Sequence, residues 1–509
     1  MKNIKEYLFN IRLEHALTVL TCLSLLHACY IGFYYSNQEL LDWHSFRQTQ
    51  TALTSLWFIK GGIKLAYETP VGGFPWSIPF EFPLYQYIVA VISELLEIPL
   101  SQTGRITSFL FYLFTLYPAH KIFKELKQDH VSFFIFAIFY LTSPLYLYWG
   151  RSFMIETTAL FFSILSISYF LRFLNNPNIL NSALFSFFAS IAILQKATTP
   201  APMMVGLGII WLFSIKRDHP KDNTIKYLLI SSWMFLIPLI TAIIWTKYTD
   251  HIKEYNQFGS LLTSKALSKW NWGTWEQRID INLLTDIFWR RISKNNLAGL
   301  IGCFLISAPL FSGNIKLKKI ILVSLGFAIL PVFLFINLHR AHDYYQTSCL
   351  IFFIFALAIS TNYWRYKKIV LVLVLLVIFF NLRTFIQIYN PIIKENYSAD
   401  NNRDINVSAF LKKNLSENES FVAFGNDWSS TFAYLSHRKS FTVPKFYPDA
   451  IKVFETPSKF TGPLKAKAIV SCPSDFNTIS PIYSELSEKK IAEGWKETRV
   501  VDCWVLTRN

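Results

Sequence analysis

Apolar windows of about 15–22 residues recur along this chain from Leu17 to Leu382. That is the length an α-helix needs to cross a hydrocarbon core of about 30 Å at about 1.5 Å per residue. The pattern predicts spans over 14–35, 104–121, 131–149, 154–173, 179–195, 200–215, 226–246, 296–312, 319–337, 346–362 and 368–384. These make eleven spans, with thirteen as the rival count. The segment 83–98 is apolar but carries Glu94 and Glu97 and is barely long enough to cross. Counting it would invert every later loop, so it reads as a dipping or surface-lying helix. After about residue 396 the pattern changes. Short apolar runs at 421–424, 468–470 and 503–506 alternate with helical spacing at 407–415 and 431–435. The fold class predicted is a polytopic all-α membrane domain over 1–395, with outer loops at 36–82 and 247–295. A small α/β domain over 396–509 follows, long enough for its own core.

Composition agrees with a membrane protein. Of 509 residues, 52% are hydrophobic and 16% charged, well below the roughly 25% charged of soluble domains. The net charge of +16 does not point to nucleic acid, because the basic residues sit in short loops between apolar runs. Lys2, Lys5 and Arg12 precede the first span. Four further groups are Lys121, Lys124 and Lys127; Lys216, Arg217, Lys221 and Lys226; Lys316, Lys318 and Lys319; and Arg365, Lys367 and Lys368. The positive-inside rule puts all five groups in the cytoplasm and the long loops and tail on the other face. The first apolar run has a basic start and no small-residue cleavage site, as expected of a retained anchor. Cys22, Cys29, Cys303 and Cys349 lie in or beside spans and read as packing residues. Cys472 and Cys503 lie in the tail, where an oxidising compartment would let them pair; two buried thiols are the alternative.

Candidate chemistry gathers on the outer face. The first outer loop reads Asp42-Trp43-His44-Ser45-Phe46-Arg47, placing an acid, a histidine and an arginine just past a span. Residues 46–60 have the spacing of an amphipathic helix at the interface. Asp42 is therefore a site acid, a solvated loop charge or, with Ser45, an N-cap candidate. A proline-punctuated aromatic stretch ends in Glu81-Phe82-Pro83-Leu84-Tyr85. It reads either as a cleft wall or as interfacial anchoring. Arg151 and Glu156 flank the start of one span, and Lys196 leads a turn. Arg340, His342, Asp343 and Tyr345 precede another span. Each has the reading of a snorkelling charge at a helix end. As a set, cations at the outer rim suit a phosphate.

These pieces, in this order, resemble the GT-C superfamily of membrane glycosyltransferases. The resemblance is nearest the glycosyltransferase family 39 group, which includes protein O-mannosyltransferases and the lipid A aminoarabinose transferase. It covers roughly 17–382 and rests on four places. They are Asp42 in the first outer loop, Glu81-Phe82-Pro83-Leu84-Tyr85, the Arg151…Glu156 spacing followed by Lys196, and His342-Asp343-Tyr344-Tyr345. The chain departs from the family in having Trp43 and His44, not a second acid, after Asp42, and Glu81-Phe82-Pro83 in place of a His- or Lys-Pro-Pro start.

The resemblance implies an inverting transferase using a polyprenyl-phosphate sugar and a lipid, lipid A-like, glycan or protein acceptor. It implies an inner membrane with the active face in the periplasm. Asp42 would be the general base, with His44 the alternative. Arg47, Glu81, Tyr85, Arg151, Glu156, Lys196, Arg340, His342, Asp343 and Tyr345 would line the substrate. No cofactor is required on this reading, and a divalent cation is left open. The competing readings are a lipid-linked glycan ligase or polymerase, using the loop 247–295, and a polyprenyl-lipid flippase or transporter.

Overall fold

A computed structural model of the chain describes residues 2–218, 221–364, 366–395 and 397–508, with side chains from 13 to 215 and from 227 onward. Arg365 and the side chains of Lys2, Lys5, Arg12, Lys216, Arg217, Lys221 and Lys226 lie outside the described residues. Contacts divide the chain into two units: 1–36, 105–244 and 268–394 form one, and 37–104, 245–267 and 395–509 the other. The first outer loop and the front of the loop 247–295 thus fold with the tail. The rest of that loop folds with the membrane helices.

In the first unit, local sequence sets the helix starts. Asp129 caps the helix His130–Thr142 by accepting from Ser132 N at 2.9 Å. Asn178 caps Ile179–Lys196 through Asn181 N at 2.9 Å, and Asn314 caps Ile315–Leu334 through Leu317 N at 3.1 Å. Among the described residues, seven helices are long and apolar enough to cross a membrane: Leu13–Tyr34, Glu156–Asn175, Ile179–Lys196, Tyr227–Glu254, Ile315–Leu334, Asp343–Asn362 and Lys367–Lys394. Other expected spans are shorter or broken. The run 131–149 divides at Ser143-Pro144 into His130–Thr142 and Pro144–Trp149, because proline lacks the N–H that would continue the ladder. The run 104–121 falls on Leu100–Phe114 and Leu116–Glu125. Leu84–Leu96 has 13 residues, about 20 Å, too short to cross alone. The buried rings of Tyr112, Tyr140 and Tyr146 stack in the core of this unit. Their hydroxyls are satisfied: Tyr112 and Tyr140 donate to each other's carbonyls at 3.2 Å, and Tyr146 to Thr347 O at 2.6 Å.

The second unit is built on a five-stranded sheet of β1 (Ser420–Phe424), β2 (Lys439–Thr442), β3 (Ala466–Ser471), β4 (Lys496–Val500) and β5 (Cys503–Thr507). The order is β2-β1-β3-β5-β4, parallel across β2, β1 and β3 and antiparallel from β3 to β5 to β4. Cys472, just past β3, and Cys503, opening β5, form a disulfide. β2 would be an unpaired edge, but the segment 70–73 covers it. Ser440 N donates to Pro70 O at 3.0 Å, Thr442 N to Val71 O at 2.9 Å, and Gly73 N to Ser440 O at 3.2 Å. Ile78, Phe258 and Leu262 then join the sheet's core. Asn256, fully buried, fixes the loop. Its Nδ2 donates to the carbonyls of Gly72 (3.2 Å), Gly73 (3.0 Å) and Pro75 (2.8 Å), and its Oδ1 accepts from Gly259 N at 2.6 Å.

Asn256→Ala strips buried carbonyls of their donor, at a cost of about 1–3 kcal/mol. Hydrogen exchange should rise at the amides of Gly73, Ser440 and Thr442 in this variant while those of β5 stay protected. Uniform protection in mutant and wild type would show that the asparagine does not hold the loop.

Candidate active site

Two polar clusters contain most of the residues singled out in the sequence, one in each unit. In the first unit, the antiparallel helices Glu156–Asn175 and Ile179–Lys196 meet through a short turn at Asn176, Pro177 and Asn178. Glu156 is the first residue of one helix and Lys196 the last of the other. Each charge sits at the helix end whose dipole favours it. Their side chains form a buried ion pair, with 2% and 6% of each side chain exposed. Lys196 Nζ also lies over the rings of Tyr345 (4.2 Å) and Tyr344 (5.0 Å).

The segment 336–346 completes this cluster. His342 stacks on Tyr344 at 5.0 Å and on Tyr345 at 6.3 Å. Gln346 Nε2 and Arg291 Nη1 both donate to His339 O, at 3.2 and 3.1 Å, and Arg291 Nη2 donates to Arg340 O at 3.1 Å. Arg291 comes from a π-helix, Thr285–Lys294, where Asp286 bridges Arg290 and Arg291. The hydrogen bond from Arg290, then the charge of Arg291, hold Asp286 below the usual carboxylate range. The side chain of Arg340 is exposed and has no partner among the described residues. Among the described residues, the buried atoms Glu156 Oε2, His339 Nδ1 and Gln346 Oε1 have no hydrogen-bond partner. His339 is pushed down to about 3, first by burial and then by the charges of Lys196 and Arg291, so its imidazole is neutral.

Two more of the expected residues have contacts of their own. Arg151 is fully buried, and its Nη2 donates to Tyr35 O at 3.1 Å. That contact ties it to the end of the first span. Asp343 accepts from Tyr389 OH at 3.4 Å.

In the second unit Asp42 is buried, with 3% exposed. It accepts from Gln48 Nε2 at 2.6 Å, and Gln48 also donates to Trp43 O at 3.0 Å. Arg47 forms an ion pair with Glu81 and donates to Gln50 Oε1 at 2.5 Å. His44 stands at the N-cap position of the helix Ser45–Gly61 with φ 57°, and its ring stacks on Trp43. No side chain caps that helix start, so neither Asp42 nor Ser45 serves as N-cap. The helix buries Gln48, Thr49, Gln50, Thr51, Thr54 and Ser55 as well as its apolar residues. It is packed inside the unit, not laid along a surface as the spacing suggested. Its hydroxyls are satisfied locally, Thr49 by Ser45 O at 2.7 Å and Thr51 by Arg47 O at 3.0 Å. Tyr85, expected to line substrate, donates to Gly104 O at 2.7 Å.

Sequence reading missed Gln48 and Gln50, which orient the two charges, and His339, Gln346, Asp286 and the two arginines beside it. The run Gln48-Thr49-Gln50-Thr51 inside a buried helix was the available signal. Nothing local marked His339. Among the described residues, no three His, Cys, Asp or Glu side chains come together to hold a metal.

In fold the chain is similar to ArnT from Cupriavidus metallidurans in the apo state, with TM-score 0.63 and 11% identity over 96% of this chain and 98% of that one. It is similar to the same protein bound to undecaprenyl phosphate, with TM-score 0.62 and 10% identity over 95% and 97% of the chains. The archaeal oligosaccharyltransferase AglB from Archaeoglobus fulgidus, in complex with an inhibitory peptide and a dolichol-phosphate, matches with TM-score 0.55 and 10% identity over 90% and 69%. The architecture is that of the GT-C membrane glycosyltransferases. No protein-family model and no curated protein matches the sequence.

His339 gives a pH signature. Its folded pKa of about 3 lies below the ordinary 6.5, so the unfolded chain takes up the proton first as pH falls. Folded stability is therefore unaffected by this group above pH 6.5 and declines from there toward pH 3, by up to about 1.4 kcal/mol per pH unit. Unfolding midpoints in detergent should fall more steeply between pH 7 and 5 for wild type than for His339→Gln. Identical slopes would mean that the imidazole is not held neutral.

Proposed function

We propose that this membrane protein with a GT-C fold is an inverting glycosyltransferase moving a sugar from a polyprenyl-phosphate donor to a lipid, glycan or protein acceptor. The general kind is supported by the fold, shared over nearly the full length of a protein whose structure holds undecaprenyl phosphate. Within GT-C, the sequence resemblance to the family 39 group supports that branch. The five basic groups support an active face on the non-cytoplasmic side, and the family resemblance supports a bacterial inner membrane facing the periplasm.

The observation that carries the reading is Asp42, a buried carboxylate aimed by Gln48. Carboxylates titrate near 3.9 in water and are weak bases for a hydroxyl. They become effective when aligned and desolvated; the burial of Asp42 and its contact with Gln48 support that role. Asp42 takes the proton of the acceptor hydroxyl or amine as that atom bonds to the anomeric carbon. The bond from that carbon to the phosphate oxygen breaks in line on the opposite face, inverting the centre. The polyprenyl phosphate leaves with the bond electrons and needs charge stabilisation more than a proton. In the membrane unit, Arg340 and the Arg290–Arg291 pair are cations of the kind that suit a phosphate. Lys196, already neutralised by Glu156, orders the segment 336–346. A glycan ligase is the second reading, favoured by Arg290 and Arg291 in the loop 247–295.

Asp42→Asn keeps the shape and the Gln48 contact but removes the base. Purified protein in liposomes, given radiolabelled polyprenyl-phosphate sugars and a mixed acceptor extract, should transfer sugar. The variant should lose about 10²–10⁴-fold in rate while still binding undecaprenyl phosphate. Normal turnover by Asp42→Asn sinks the assignment of the base. Arg340→Ala should raise the donor concentration for half-maximal rate about tenfold with little change at saturation; an unchanged donor response removes Arg340 from the phosphate seat.

A further inference from the structure

A large cavity lies in the first unit. It measures about 750 Å³ and is walled by Leu, Ile and Phe side chains of six helices, among them Ile122, Ile167, Leu171, Leu207, Phe327 and Phe352. The helix Glu156–Asn175 gives its place. Glu156 and Lys196 are at one end of that hairpin, whereas the cavity follows Ile164, Ile167, Leu171 and Leu174 toward the other. From Glu156 to Leu171 is about 22 Å along the axis. The cavity therefore stands apart from the ion-pair cluster.

Its chemistry is one-sided. Ser214 and Ser324 are the only uncharged polar residues in the wall. Both are already used: Ser214 contacts Trp211 O and Tyr227 OH, and Ser324 donates to Phe352 O at 2.7 Å. The remaining polar wall residue is Lys319, exposed in the first turns of Ile315–Leu334 and without an ion-pair partner among the described residues. Lys316 and Lys318 accompany it on that helix, and Lys121 and Lys124 stand on the helix that contributes Ala119 and Ile122. An apolar slot with a lysine in its wall fits a chain with an anionic head. From Ile164 to Leu174 the slot runs about 15 Å. That is half of a roughly 30 Å hydrocarbon core, the reach of one leaflet.

We infer that this cavity binds an acyl chain of an anionic glycerophospholipid from the leaflet at the lysine-bearing end, with its phosphate on Lys319. The site is separate from donor binding and does not rest on the transferase reading.

Native mass spectrometry of the full chain, released from nanodiscs of mixed phosphatidylglycerol and phosphatidylcholine, tests this. Wild type should retain phosphatidylglycerol about fivefold over phosphatidylcholine. Lys319→Glu should abolish the preference. Leu171→Trp, which fills the slot, should lower retention of both lipids, with thermal unfolding and gel filtration confirming that the variant is folded. Equal retention of both lipids by wild type, or retention unchanged in a folded Leu171→Trp, overturns the site. Displacement of the retained phospholipid by undecaprenyl phosphate would assign the cavity to a polyprenyl tail and overturn the proposal equally.

Discussion

The outer end of the membrane unit depends on one buried ion pair. Lys196 and Glu156 close a helical hairpin at its open end, where a lone charge of either sign would cost several kcal/mol. The pair lets the chain bury both, helped by the dipoles of the two helices that carry them. Its effect reaches further through aromatic contacts. The ammonium lies over Tyr344 and Tyr345, His342 stacks on the same two rings, and the carbonyl of the neighbouring His339 receives Arg291 and Gln346. Without the pair, the tyrosines lose their cation and the segment 336–346 loses its anchor on the hairpin.

The second unit solves a different problem, that of placing polar groups inside a small core. The helix Ser45–Gly61 is buried on faces that carry glutamine, threonine and serine, and the cost is met by short-range bonding. Threonine hydroxyls return to carbonyls one turn back, and two glutamine side chains are spent on Trp43, Asp42 and Arg47. Asn256 performs the same service for three carbonyls of the proline-rich loop. A buried polar network of this sort fixes positions closely, because each unsatisfied member would be expensive.

Much of this was legible in the sequence, and the gaps have physical causes. The run of apolar windows announced a membrane protein, and the short runs at 421–424, 468–470 and 503–506 fall within β1, β3 and β5. β2 and β4 were not seen. Lys496–Val500 alternates Lys, Glu, Thr, Arg and Val and is mostly half-exposed, so it lacks the apolar signal of a strand. Lys439–Thr442 is buried by a loop far away in sequence, which no local window contains. Broken helices such as 131–149 read as single spans because hydropathy ignores a proline's missing donor. In the sites, the charged residues stood out and their orienting amides did not. Glutamine has no signature until a buried partner is known.

The charge balance at the hairpin bears on what each cation does on the proposed reading. A cation serves a leaving phosphate to the extent that its charge is not already compensated. Lys196 shares its charge with Glu156 and two rings, and Arg151 is committed to the carbonyl of Tyr35. Asp286 is shared by two guanidiniums, and Asp343 also acts on Arg290, whereas Arg340 on the adjoining segment has no ion-pair partner among the described residues. Arg340 is thus less compensated than Lys196, the lysine in the family resemblance. Lys196 would then matter to a phosphate mainly through the position it gives to the segment bearing Arg340, as an orienting residue and not as the seat itself.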